Sequence, residues 1–332
     1  MKALLSHEPG GPEMLRLGDL PDPAPGPGEL LIRVRACSIN YPDVLIIEDR
    51  YQMRPTRPFA PGGEIAGEVE RVGEGVEGWS RGDRLIAVTG FGGLAEKIII
   101  QPHMAFRLPA ERSFEEGSAL LMTYATAIHA LVDRGRLGPG QLLVVLGAAG
   151  GVGLAAVEVG KALGAWVLGC ASSDEKAAAA RAAGADGSLT YPPGVLDKQA
   201  QKQFASSLKD VAGPNGAQVI FDPVGGDYSE AALRSIAWGG RFLVVGFPAG
   251  IARLPLNLTL LKSCDVCGVF WGGFVAREPN RNAQHVEQLF RWWAEGTIAP
   301  KISATYPLER AGQAIAALRD RNAIGKLVVT LD

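Results

Sequence analysis

Over roughly the first 120 residues, apolar positions come in short bursts close to alternation: "LLIRVRAC" (30–37), "EIAGEVERVG" (64–73), "DRLIAVT" (83–89) and "LAEKIII" (94–100). Turn-forming clusters such as "PDPAPGPGE" separate them, so this stretch reads as a compact, mostly β domain. From about residue 114 the period changes. "SFEEGSALLMTYATAIHALVDRG" begins with a Ser followed three places on by Glu, a capping-box signature, and its apolar residues recur at helical spacing to Gly135. Strands and helices then alternate: "QLLVVLGA" and a helix over 151–163, "AWVLGCA" and 174–183, "SLTY" and 196–211, "AQVIFDPV" and 227–237, then "GRFLVVGFP". Near-continuous apolar strands separated by helices predict a doubly wound parallel sheet covered on both faces, an α/β domain. After "KSCDVCGVFWGG" the rhythm lapses into helices around 285–296 and 309–320 and a last strand, "GKLVVTLD". The predicted organisation is a β-rich domain of residues 1–123 and 265–332, interrupted by a doubly wound domain of 124–264.

At 332 residues the chain suits two domains. It is 47% apolar and 20% charged with a formal net charge of −2, which describes a globular protein. No Lys/Arg block supplies the footprint of a nucleic-acid or anionic-membrane binder. No run is long enough to span a bilayer, and "MKALLSHEPGG" lacks a signal-peptide core, so the expected location is the cytoplasm. Four cysteines, Cys37, Cys170, Cys264 and Cys267, form no disulfide framework and read as free thiols.

The chemistry concentrates in "GAAGGVG" (147–153), which follows a predicted strand and opens a predicted helix. A dinucleotide's pyrophosphate must approach backbone N–H groups at the positive end of a helix, and side chains there would block it. Ala149, Gly150, Gly151, Val152 and Gly153 are therefore the candidate cradle, with Ala149 in one usual glycine place. NAD binders place a carboxylate about 20 residues further on, for the ribose 2′-hydroxyl. Here Ser172 and Ser173 occupy that place with Lys176 close behind, hydroxyls and a cation suited to a 2′-phosphate, so NADPH is the expected cofactor. Asp174 and Glu175 suit a helix N-terminus, and the serines could equally be N-caps.

"AAGGVG", "PFAPGGEIAGEVERVG", "FDPVGGD" and the "SINYPDVL" near residue 40 resemble the medium-chain dehydrogenase/reductase superfamily, and within it the zinc-free quinone oxidoreductases of the zeta-crystallin type. The quinone-oxidoreductase signature at the turn is matched except that Val144 stands where Leu is usual and Glu158 where Gln is usual. The resemblance implies a GroES-like catalytic domain beside a Rossmann NADPH-binding domain, assembled as a homodimer. In the zinc-bearing relatives a Cys falls where this chain has Asn40 and a His where it has Gly63; "CDVC" (264–267) is one pair where zinc wants four ligands. The "CDVC" thiols read as buried strand residues, while His7, His103, His129 and His285 are scattered and read as structural or surface residues.

The same resemblance implies an acceptor pocket with Asn40 as amide donor, Asp43 as an orienting partner and Tyr51 or Tyr41 as a phenol near the acceptor. Leu45 stands where relatives often carry an aromatic phenol. On the cofactor side it implies Thr126 at the nicotinamide carboxamide, Tyr191 beside the adenosine phosphate, Gly246 and Phe247 at a strand's carboxyl edge, and Arg321 reaching the phosphate, with Lys326 nearby; either cation could instead simply be solvated. Quinones and conjugated alkenes accept hydride readily because the developing charge delocalises, so they need mainly positioning and one or two hydrogen-bond donors. The implied activity is NADPH-dependent reduction of a quinone. An enone or enoyl-CoA reductase on the same scaffold and a non-catalytic NADPH-binding protein remain alternatives.

Overall fold

The strand-type bursts near the N-terminus all become strands in the computed structural model, which describes residues 1–331. In chain order they are β1 (Lys2–Leu5), β2 (Arg16–Asp19), β3 (Leu30–Ile39), β4 (Glu64–Val72), β5 (Arg84–Val88), β6 (Lys97–Ile100) and β7 (Ala105–Arg107), with helix α1 (Tyr41–Ile47) between β3 and β4 and α2 (Phe114–Ser118) after β7. β3 is the pivot: it pairs antiparallel with β4 and with β6. Its inward residues Leu30, Ile32 and Val34 pack with Ile65, Leu85 and Val329, fully or almost fully buried. Each such side chain contributes about 1.5–3 kcal/mol by leaving water.

A second unit, Thr123–Ala299, interrupts this one, which resumes at Pro300. It holds α3 (Thr126–Ile128), β8 (Leu142–Val145), α4 (Gly151–Ala162), β9 (Trp166–Ala171), α5 (Asp174–Ala182), β10 (Gly187–Thr190), α6 (Lys198–Ala212), β11 (Ala217–Asp222), α7 (Asp227–Leu233), β12 (Ile236–Val244), α8 (Asn257–Lys262), β13 (Asp265–Gly268), α9 (Trp271–Arg277) and α10 (Pro279–Ala294). Its six strands are all parallel, in the order β10-β9-β8-β11-β12-β13. The order reverses beside β8, the switch point at which doubly wound sheets bind ligands. The first unit closes with β14 (Ile302–Pro307), α11 (Ala311–Arg319) and β15 (Lys326–Thr330); β15 joins β3 antiparallel, giving the order β14-β15-β3-β4-β5-β7.

Two expectations are corrected. The chain returns to the first unit at residue 300, not 265, because "DVCG" is a sixth parallel strand, β13, and α9 and α10 follow within the second unit. The strand was expected, but its pairing beside β12 in the parallel sheet, which keeps it in the second unit, is a matter of register that the segment itself does not carry. The helix expected to run to Gly135 is broken: α2 ends at Ser118, and π-helical stretches Leu121–Ala125 and His129–Arg134 flank α3. The widened turns preserve a helix-like apolar period while shifting which side chains align, and such turns recur at functional sites.

Candidate active site

The glycine turn lies where the sequence places it. Strand β8, buried on both faces, delivers the chain to Gly147, whose φ of +57° favours glycine. Gly150 is the N-cap of α4, and no side chain caps that end, so the first N–H groups of a twelve-residue helix face the turn served only by backbone. This fits a pyrophosphate: uncapped donors at the positive end of the dipole. Gly153 has a different task. A Cβ there would sit 2.2 Å from the Gly147 oxygen and 2.9 Å from Ala148 Cα, so its bareness lets α4 pack against the strand end. Ala149 is buried in the turn, and Gly151 and Val152 begin α4.

Around this turn the second unit gathers several of the predicted residues. Ser173 is the N-cap of α5, its hydroxyl accepting from the Lys176 amide, which assigns it the capping role. Asp174 accepts from the Thr190 hydroxyl at 3.0 Å. Ser172 and Lys176, both half-buried, follow the end of β9. Tyr191 is buried against Tyr228 and Phe204, and its phenol oxygen accepts from the Gly147 amide at 3.2 Å, so it braces the turn. Burial pushes its phenol pKa up. Thr126 is half-buried in α3. Gly246 and the exposed Phe247 follow β12; the Gly246 amide donates to the Asp222 carbonyl. "FDPVGG" folds around the Asp222 carboxylate, which accepts from the Val224 and Gly225 amides and the Ser229 hydroxyl.

In the first unit, sheet register assembles a buried polar cluster. Ser38 lies opposite Glu64 across β3 and β4, and Leu327 opposite Ile39 across β15 and β3, so Lys326 arrives beside Asn40. The Lys326 Nζ donates to Asn40 Oδ1 at 2.6 Å and to Glu64 Oε2 at 3.1 Å. The Asn40 Nδ2 donates to Glu64 Oε2 at 2.9 Å and lies 3.3 Å from the Ser38 carbonyl. Ser38 Oγ also donates to Glu64 Oε2, and the Met122 amide to Oε1. The Asn40 amide is thus engaged at both ends within the protein, rather than presented as the donor the sequence suggests. Lys326, 4% exposed, is no solvated cation. Asp43 accepts from the amides of Asn40 and Gly62, and burial, the largest influence, pushes its carboxyl up to about 6. Tyr51 and Tyr41 are half-buried against the same core; burial first, then the Asp43 charge, raises the Tyr51 phenol. Arg321 follows α11 with a φ of +59°. Position 63 has no room for a side chain, since a Cβ would meet the Gly90 oxygen at 2.9 Å. Among the described residues no three His, Cys, Asp or Glu side chains converge as a metal site.

The structure adds two groups in the second unit. Tyr124 donates its hydroxyl to Glu158 Oε2 at 2.7 Å, and the Ala299 amide donates to the same oxygen at 2.9 Å. The signal was present in the sequence: Glu158 is one of the two positions that depart from the signature the resemblance supplies. His129 and His285 stack on Phe274, with ring centroids 4.0 and 5.7 Å away, around the buried Asp133, which bonds His129 Nδ1 at 2.7 Å and pairs with Arg281 at 2.5 Å. Residues 129 and 285 carry no spacing that announces this meeting. Cys264 is buried as expected, while Cys267 is half-buried in β13, and all four thiols are free.

Residues 151–291 match the zinc-binding dehydrogenase family and residues 26–110 the alcohol dehydrogenase GroES-like domain. The chain is 36% identical to the Bos taurus quinone oxidoreductase-like protein 2 over 307 residues, 92% of this chain and 86% of that one. It is 32% identical to the Rattus norvegicus quinone oxidoreductase over 334 residues, covering all of this chain and 98% of the relative. Among solved structures, Escherichia coli quinone oxidoreductase complexed with NADPH superposes with a TM-score of 0.90 at 27% identity over the full length of both chains. A mycobacterial protein complexed with NADPH does so at 0.91 and 30%, again over both full lengths. Full-length similarity at these identities, on a GroES-like unit interrupted by a Rossmann unit, shows that the chain belongs to the quinone oxidoreductase family of the medium-chain dehydrogenases/reductases.

Proposed function

We propose that this protein is an NADPH-dependent oxidoreductase that reduces quinones or similar electron-poor acceptors without a catalytic metal. The observation that carries the reading is the helix α4 N-terminus, closed by Gly150 and bare of side-chain caps, at the switch point of a six-stranded parallel sheet. NADPH, when bound, supplies the hydride. The chain's residues hold and orient it: Gly150, Gly151, Val152 and Gly153 for the pyrophosphate, Thr126 for the carboxamide, Ser172 and Lys176 for the 2′-phosphate. Preference for NADPH over NADH is supported because the acidic Asp174 is engaged by the Thr190 hydroxyl, while a hydroxyl, Ser172, and a cation, Lys176, follow the end of β9. Gly246, Phe247 and Arg321 complete the proposed cofactor set, with Tyr191 bracing the turn.

On the acceptor side we assign Tyr51 and Tyr41 as the phenols, Asp43 as the orienting carboxyl, and Asn40 as the fixed start of the helix that carries Tyr41 and Asp43. A metal-independent reaction is supported by the donor set, since an amide and a glycine stand where zinc-bearing relatives have ligands, and position 63 excludes a side chain. We further propose a cytoplasmic homodimer joined through β13, an edge strand whose neighbours include the exposed Leu260, Leu261 and Phe270. Among the described residues no helix is long and apolar enough to cross a membrane.

The test is NADPH oxidation by the purified protein with a panel of quinones beside enones and enoyl-CoA esters. Quinone turnover with NADPH favoured over NADH is the expected result. Turnover confined to enones or enoyl-CoA would assign an alkene reductase, and tight NADPH binding with no acceptor reduced would assign a non-catalytic binder. Turnover abolished by chelators would overturn the metal-independent reading.

A further inference from the structure

Lys326 needs an explanation that its sequence context does not give. An ammonium removed from water is costly unless paired and hydrogen-bonded, yet this one is 4% exposed at the start of β15. Its partners are Glu64 Oε2 and Asn40 Oδ1, from residues that are themselves 0% and 6% exposed. The chemistry leaves the amide one orientation. Lysine only donates, so the Asn40 oxygen must face it; an ionised carboxylate only accepts, so the Asn40 nitrogen must face Glu64. Glu64 is itself fixed by the Ser38 hydroxyl at 2.6 Å and the Met122 amide at 2.8 Å. Asn40 is also the residue before Tyr41, and its backbone amide donates to Asp43 Oδ2 at 2.7 Å. Whatever fixes Asn40 therefore fixes the first turn of α1.

We propose that Lys326 is a positioning residue: its ammonium, seated between Asn40 and Glu64, locks the amide and through it the start of α1, which presents Tyr41 and Asp43 to the acceptor. This rests on the functional reading above for its consequence in turnover, though not for the lock itself. Two roles are separable. If Lys326 merely neutralises a buried carboxylate, removing both charges together restores everything. If it positions, removing both restores stability alone, because the ammonium that fixed the orientation of the amide is gone.

The experiment compares Lys326→Met, Glu64→Gln and the double variant with the wild type, reading thermal midpoint, NADPH affinity and kcat with a quinone. Lys326→Met is expected to lose stability and to lower kcat by about 10–100-fold, the scale of a misplacement of roughly 1 Å, with NADPH affinity within about threefold of wild type. The double variant is expected to regain the thermal midpoint but not kcat, and it keeps the test alive if Lys326→Met alone does not fold. Recovery of kcat in the double variant, or undiminished kcat in Lys326→Met, would overturn the proposal. A second readout is independent of acceptor: the Asn40 side-chain amide resonance, assigned by loss in Asn40→Asp, should be protected from solvent exchange in the wild type and exposed in the double variant. If the wild type reduces no acceptor, the functional reading fails, while this protection still decides the lock. Protection persisting in the double variant would refute it.

Discussion

Replacing Tyr124 by Phe deletes one oxygen and tests the unanticipated pair in the second unit. The hydroxyl of Tyr124, a residue 2% exposed, donates to Glu158 Oε2 at 2.7 Å, and the same oxygen accepts from the Ala299 amide. A hydrogen bond to a charged group contributes about 1.5–3 kcal/mol, and removing the donor leaves the carboxylate half-buried with one partner fewer. Tyr124→Phe should therefore destabilise the second unit by about 1.5–3 kcal/mol. For a domain of 150–250 residues that is about 3–12 °C in midpoint, measured by calorimetry at pH 7.5. Burial raises the Glu158 pKa, so its contribution to stability is full below the usual carboxylate value and is lost as pH rises through the raised one. Glu158→Gln removes that loss and keeps a carbonyl oxygen for both donors, so it should equal or exceed wild-type stability at pH 8. In the Glu158→Gln background, Tyr124→Phe should cost only the neutral value, about 0.5–1.5 kcal/mol. Equal costs in the two backgrounds, or a cost below about 0.5 kcal/mol in both, would refute the charge-assisted pair.

Three further outcomes follow from the same geometry. Gly153→Ala forces a Cβ to within 2.2 Å of the Gly147 oxygen and should displace the turn, lowering NADPH affinity at least about tenfold by fluorescence titration, a loss of about 1.4 kcal/mol or more. Asp43→Asn leaves the Asn40 or the Gly62 amide facing an NH₂ group, costing about 1–3 kcal/mol. The wild-type carboxyl is raised to about 6, so its term in stability, about 3 kcal/mol, is full below 3.8 and lost as pH rises through 6. The deficit of Asp43→Asn, followed by denaturant melts, should shrink over that window. His285, held below its usual pKa mainly by burial among Asp133, Arg281, His129 and Glu278, favours the fold above pH 6.5 and loses that contribution as pH falls, so His285→Leu should flatten the acid side of the stability profile.

The Rossmann unit was largely legible in the sequence because its signals are local. Val144, Leu168 and Ile220 announce buried parallel strands by runs of apolar residues, and the glycines of 147–153 announce the turn within seven positions. What escaped is set by register between distant segments. Lys326 and Asn40 lie 286 positions apart, and only the pairing of Leu327 with Ile39 brings them together. The same holds for His129 with His285, which meet through Phe274 of α9. The π-helical stretches were hidden because inserting one residue in a turn leaves the apolar period nearly intact.

Positions 40 and 63, where the family resemblance implies zinc ligands in zinc-bearing members, are each tied closely to their surroundings in this chain. At position 63 the backbone of Gly90 occupies the space of any side chain, so a histidine there requires residues 89–90 to move. At position 40 a thiolate would meet Glu64 Oε2 without the amide hydrogens that Asn40 now supplies, and the Lys326 ammonium stands 2.6 Å from the side-chain atom it would replace. The glycine admits the 89–90 turn, the lysine pairs with Glu64, and the asparagine bridges lysine and glutamate. A side chain at 63 therefore meets a steric conflict, and one at 40 without the amide leaves Lys326 and Glu64 each with one partner fewer. Asn40, Glu64 and Lys326 are one hydrogen-bonded unit, so a change at any one of them is felt by the other two.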